Sequence, residues 1–358
     1  MQAGLMRTVF LVLSLALSST AFAVDPGTKF PINQLGAGPY NGVLFGGLYA
    51  NGSNNMPADH AAAGLQQAAL IGPLDQNGNA SPAGKVVFLS IGSGEVERIM
   101  CSGWGSRPCE PGSFIAMAGA DRRVNHKSLV ILNAGRERTD YRAWTPIDYG
   151  SPIYETVRLD TLMPAGVTEK QVQVVWIQLA TNNPTKTMVT PAGDAWVLKQ
   201  AMATTLKLLR TTYPNLRIAY LSSRVYGGYA TTSWNPEPYA YESGFTIRFV
   251  LIGQIDEARL ENPGSYWDSR LGDIDYRDGS APWLAWGPYL WADGPTPRQS
   301  DGATWAREDF EADGESLSPK GAQKGARQLL NFLLSEPTAR TWFLTSSPNT
   351  RQRSVRSD

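Results

Sequence analysis

The chain has 358 residues, with 32 basic and 32 acidic side chains, two histidines and two cysteines. The balanced charge gives no bulk attraction to nucleic acid or to an anionic membrane surface. An apolar content of 42% is enough for one large core or two small ones. His60 lies far upstream of Cys101 and Cys109, and His126 has no neighbour, so neither a zinc cluster at motif spacing nor a CxxC redox pair can be drawn. No metal and no cofactor are expected.

The chain opens with Arg7, the apolar run from Val9 to Leu17 and the small-residue end Ala21-Phe22-Ala23. This is the pattern of an export signal, residues 1–23, cleaved after Ala23. The run is shorter than the roughly 20 residues that span a bilayer. Val24 rather than Cys follows, so no lipoprotein anchor is expected. No later segment is apolar enough to insert stably in a membrane, which places the protein outside the cell or in a periplasm. In that setting Cys101 and Cys109, eight positions apart, are expected to close a short disulfide loop.

Residues 24–84 are rich in Gly, Asn and Pro and are expected to form an irregular wrap. Short apolar runs then recur about every 40 residues: Lys85–Ile91, Leu129–Asn133, Val172–Leu179 and Leu216–Leu221. Their β-branched content suits buried parallel strands. Helices are expected from Ala195 to Pro214, from Tyr241 to Leu260, and from Ser318-Pro319 onward, where Ala322, Ala326, Leu329, Leu330 and Leu333 make a helical stripe. Alternating strand and helix imply an α/β domain over 85–343, a doubly wound parallel sheet flanked by helices in three flavodoxin-like layers. The polar end, 344–358, is expected to be disordered.

Ligands of open α/β sheets bind beyond the carboxyl ends of the strands. Those positions hold Gly92-Ser93-Gly94-Glu95, Ala134-Gly135-Arg136-Glu137, Ala180-Thr181-Asn182 and, before the last helix, Asp313-Gly314-Glu315-Ser316. In this order and spacing the chain resembles the SGNH (GDSL-like) hydrolases over roughly Lys85 to Phe343. It is similar in particular to a secreted bacterial branch with degenerate catalytic motifs. The blocks Ser222–Tyr229, Asn235–Pro238, Ala240–Gly244 and Trp286–Trp291 carry that closer likeness.

The resemblance implies a catalytic Ser after the first strand, oxyanion donors after the second and third, and Asp-x-x-His before the last helix. Gly92 matches the first glycine, Gly94 falls in the nucleophile slot and Ser93 lies one place before it. Gly135 matches the oxyanion glycine and Asn182 the oxyanion asparagine. Asp313 matches the acid, and Ser316 stands at the histidine. Without a base, a serine hydroxyl is a weak nucleophile. The expected activity is therefore impaired, with the cleft retained to bind an extracytoplasmic small molecule or carbohydrate. Two enzymatic alternatives stay open. One is an esterase or deacetylase using Ser93 with a distant base such as His60. The other is a carboxylate site built from Glu95, Glu137, Glu315 and Asp313, sharing protons or holding a hard cation. Trp283, Trp286, Tyr289, Trp291 and Trp305 are either sugar-stacking residues or core anchors. Arg224 and Glu242 are expected to be buried ion-pair members or surface charges.

Overall fold

The computed structural model describes residues 29–36, 38–101, 108–145, 152–259 and 269–345. The expected signal segment and residues 346–358 of the expected polar tail lie outside the described residues. Five parallel strands form one sheet: β1 (Val86–Gly92), β2 (Leu129–Asn133), β3 (Val172–Gln178), β4 (Ile218–Leu221) and β5 (Trp283–Trp286). Their spatial order is β2-β1-β3-β4-β5. Four of these strands fall where the apolar runs predict them. The fifth was hidden because Trp283-Leu284-Ala285-Trp286 lacks the β-branched residues that marked the others.

Successive side chains of a strand point to opposite faces, so each strand feeds two cores. On one face Val87, Leu89, Ile91, Val175 and Ile177 pack with Leu198, Met202, Phe245 and Leu251. These come from α4 (Asp194–Thr212) and α5 (Tyr239–Ala258). On the other face Phe88, Val174, Trp176 and Tyr220 meet Val96, Ile99, Phe114, Ala326 and Leu329. Their helices are α2 (Gly94–Cys101), α3 (Phe114–Ala120) and α6 (Pro319–Ser335). The outcome is the expected three-layer α/β/α domain. At the start of α6 the Ser318 hydroxyl accepts from Gly321 N at 3.3 Å, with Pro319 as the first helical residue, which is the cap read from the sequence.

The segment expected to be an irregular wrap contains a twelve-residue helix, α1 (Ala58–Ala69). Three consecutive alanines and a glycine give it a surface flat enough to lie on β5; a Cβ on Gly64 would stand 2.3 Å from the Trp283 ring. This helix covers an edge strand that would otherwise offer unpaired backbone to other chains. The tail also begins in order, with Leu344 bridging Val124 and Thr345 N donating to Arg123 O at 2.7 Å. Among the described residues no helix is long and apolar enough to cross a membrane. Cys101 and Cys109 form the expected disulfide.

Candidate functional site

The order β2-β1-β3 puts a topological switch point between β1 and β3, where loops leave the sheet in opposite directions and a crevice opens. A cleft of about 340 Å3 lies there. Its wall takes Ser93, Gly94 and Glu95 after β1, Glu137 and Arg138 after β2, Ala180, Thr181 and Asn182 after β3, and Asp313, Glu315 and Ser316 before α6. Residues singled out from the sequence, Arg224 among them, therefore meet in one place, although they span more than two hundred positions of chain.

Ser93 sits at the entry to α2, and its backbone carbonyl accepts from Glu97 N at 3.1 Å. Its hydroxyl is buried with no hydrogen-bond partner. Gly92, the last residue of β1, does not line the cleft. It has φ +154°, and a Cβ there would lie 2.3 Å from Gln178 O. Its task is to let β1 turn into α2 beside β3.

Gly135 corrects one expectation. It does not line the cleft, and its N–H donates to Asn133 Oδ1 at 2.9 Å, so it is no oxyanion donor. A Cβ there would lie 2.6 Å from Glu97 N; the glycine serves the close passage of α2 over the end of β2. Arg136 turns away from the cleft, donating to Gly135 O and Thr161 Oγ1 at 3.0 Å each. Asn182 does face the cleft, and its Oδ1 is buried without a partner.

The two histidines are elsewhere. His60 lies on α1, is 3% exposed, and bonds Leu284 O through Nε2 at 2.8 Å. It stacks on Trp283 with ring centroids 4.9 Å apart. Leu284 belongs to β5, three strand spacings from β1, which is roughly 14 Å of sheet. His60 is therefore not the base for Ser93. His126 precedes β2 at the opposite end of the sheet, its Nε2 3.0 Å from Asp121 O.

In place of an Asp–His pair, Ser316 donates its hydroxyl to Asp313 Oδ2 at 2.7 Å. The N–H groups of Glu315 and Ser316 donate to Asp313 Oδ1 at 3.0 and 2.9 Å. Burial works to raise the Asp313 pKa, but these donors outweigh it and hold it below the usual carboxylate range. The side chain acts as the staple of a turn.

The other carboxylates are engaged one by one. Glu95 accepts from Gln178 Nε2 and Val225 N at 3.0 Å each and forms a buried ion pair with Arg224. Glu137 pairs with Arg98 at 2.9 Å. Glu315 accepts from Asn235 N at 2.6 Å and from the Thr232 hydroxyl. Among the described residues no group of three or more His, Cys, Asp or Glu is placed to hold a metal ion. Lone pairs already committed to N–H and O–H donors on different loops do not converge on one cation.

Arg138, which follows Glu137 beyond the second strand, also lines the wall, and several wall residues were not found by motif matching: Arg98, Thr139, Thr232 and Trp234. Trp234 is 40% exposed. Its only sequence signal was position, in the loop beyond the fourth strand and just ahead of Asn235-Pro236-Glu237-Pro238. That block ties the cleft loops together. Asn235 Nδ2 donates to Thr181 O at 2.9 Å, and Glu237 Oε1 accepts from Gly227 N at 3.1 Å and Trp291 Nε1 at 2.7 Å. The aromatic group at 283–305 proves to be core. Trp283, Trp291 and Trp305 are fully buried, and their indole N–H groups donate to His60 O, Glu237 Oε1 and Leu290 O.

Fold and cleft together define an open α/β protein with its candidate site at the switch point. No family model matches the chain, and no curated protein matches it in sequence. Some solved structures resemble it in fold. A Bacteroides fragilis protein described as an acylhydrolase has 13% identity over 80% of this chain and 100% of that one, with TM-score 0.37. A tryptophan-to-isoleucine variant of an acetyl-xylooligosaccharide esterase from Geobacillus has 14% identity over 70% and 95%, with TM-score 0.35. A GDSL-like lipase from Bacteroides thetaiotaomicron has 12% identity over 76% and 96%, with TM-score 0.33. Likenesses this distant carry nothing about activity or substrate.

Proposed function

We propose that this is an exported SGNH-like protein that binds a carbohydrate in its cleft and does not hydrolyse esters through a Ser–His pair. One observation carries the reading: the hydroxyl of Ser316, at the position where the resemblance implies a histidine, is bonded to Asp313. No imidazole lines the cleft. A Ser without a base gains only what binding and oxyanion donors supply. The lining favours a neutral polyol over an anion, since it holds five acidic side chains against three basic ones. The exposed face of Trp234 offers a surface for a sugar ring, and the uncommitted Ser93 hydroxyl and Asn182 Oδ1 offer hydrogen bonds to its hydroxyls. Export rests on the signal pattern and agrees with the disulfide.

A second reading keeps Ser93 as a nucleophile, favoured by its unpartnered hydroxyl in the cleft. Turnover of p-nitrophenyl acetate separates the two. The expected result is a rate indistinguishable between wild type and Ser93→Ala. A rate abolished by that substitution overturns the binding reading, and one that survives it but falls in Glu315→Gln points to carboxylate chemistry. A glycan array gives the positive arm. Retention of neutral oligosaccharides is expected to drop at least tenfold in Trp234→Ala, corresponding to about 1.4 kcal/mol.

A further inference from the structure

A second cavity, of about 330 Å3, opens at the other end of the sheet. Arg217 immediately precedes β4 and Trp283 opens β5, so this cavity faces away from the cleft. Arg210, in the last turn of α4, and Arg217 both line it. Among the described residues neither has a carboxylate partner. Arg210 donates through Nη1 to Pro214 O, and the Arg217 side chain bonds nothing. The third arginine of the wall, Arg277, is fully engaged by Asp275 at 2.6 Å and Ala258 O at 2.8 Å. Asp278 is the one carboxylate in the lining. It accepts from Ser280 N at 2.8 Å and makes no ion pair with Arg210 or Arg217.

Two guanidinium groups share a cavity, then, with no counter-ion between them. Burial first, and then the charge of Arg217, push the Arg210 pKa below its ordinary value. Gly279, with φ +88°, forms the turn that runs beside Arg210; a Cβ there would already touch Nη2 at 3.4 Å. An oxyanion with two or more oxygens would relieve the repulsion and accept from both forks. We propose that this cavity is an oxyanion site in which a phosphate-type group, free or as a lipid headgroup, bridges Arg210 and Arg217. Leu70, 58% exposed on the rim, is the feature that brings the lipid source into the test.

The test is thermal unfolding of the whole protein with inorganic phosphate at constant ionic strength, chloride making up the balance. Wild type is expected to show a saturable rise in Tm of roughly 2–5 °C. Arg217→Gln and Arg210→Gln are expected to lose that rise while keeping the wild-type circular dichroism. Calorimetric titration of wild type with phosphate needs no variant and is expected to saturate at one site per chain. Equal melting in phosphate and chloride, a rise retained in both variants, or no saturable heat overturns the proposal. Co-sedimentation with phosphatidylcholine vesicles, with and without phosphatidylglycerol, assigns the source. Arg217-dependent binding to the anionic vesicles makes it a headgroup site, and a phosphate response without vesicle binding makes it a site for a soluble oxyanion.

Discussion

Glu95 occupies the position after the nucleophile slot, at the entry to a helix and within a cleft, where a free carboxylate would invite a catalytic reading. Its partners decide otherwise. Its side chain is 3% exposed, its charge is matched by Arg224 at Oε2, and Gln178 and Val225 both donate to Oε1. A desolvated charge is tolerated only when it is paired and hydrogen-bonded, and removing one partner leaves the other uncompensated. Glu95→Ala is therefore expected to cost about 3–5 kcal/mol in urea unfolding, with Arg224→Ala similar and the double variant far from additive. A loss below about 1 kcal/mol would mean that Arg224 reaches solvent and that Glu95 is free for other work. The sequence marked Glu95 as acidic and close to the site, and it left Arg224 open between an ion pair and a surface charge. It gave no sign that the two are each other's partner, because that pairing joins loops 129 residues apart.

His60 on α1 and Glu242 on α5 are titratable groups buried in the core, with opposite consequences for pH. On α1, His60 is pushed down to about 4 by burial, partly offset by the bond to Leu284 O. On α5, Glu242 is pushed up to about 7 by burial, against the donors Met188 N and the Tyr40 hydroxyl. The depressed histidine stabilises the fold above its unfolded pKa of about 6.5, and this is lost as pH falls through about 4. The raised glutamate stabilises the fold below its unfolded pKa of about 4.5, and this is lost as pH rises through about 7. Each is worth about 3 kcal/mol at its limit. Between roughly pH 4.5 and 6.5 the two slopes have opposite signs and similar size, so together they are expected to cancel. Glu242→Gln should leave stability rising with pH across that window, and His60→Gln should leave it falling. Urea midpoints measured at four or five pH values check both, and parallel profiles for wild type and the two variants would contradict the assignment. Both helices also show what patterning conveys. The α5 stretch is apolar nearly all round and was legible as a helix. Helix α1 was not, because it lies within a Gly-, Asn- and Pro-rich stretch that reads as loop from its composition.

For the whole molecule, the sheet supplies the stability and the loops supply the site. The Cys101–Cys109 bridge closes a short loop at the end of α2. In the chain-entropy account a loop of this size contributes about 2–3 kcal/mol. Reduction is thus expected to lower Tm by several degrees while far-ultraviolet dichroism stays unchanged, since the cores on the two faces of the sheet persist. Loss of ellipticity would show that the bridge holds the topology itself.

Strand periodicity and the cap at Ser318-Pro319 were enough to derive the α/β frame, and the resemblance to SGNH hydrolases pointed to Ser93, Asn182, Asp313 and Ser316 as neighbours in one cleft. Those features are local, or follow from chain order, and a sequence states them directly. Tertiary structure decided the rest. It set His60 three strands from Ser93, turned Gly135 from an oxyanion donor into the seat of a helix crossing, and buried the tryptophans of 283–305 while exposing Trp234. It also left Arg210 and Arg217 together without a counter-ion. The physical reason is common to all of these. Burial, pairing and reach depend on which distant segments pack against a residue, and no spacing along the chain records that.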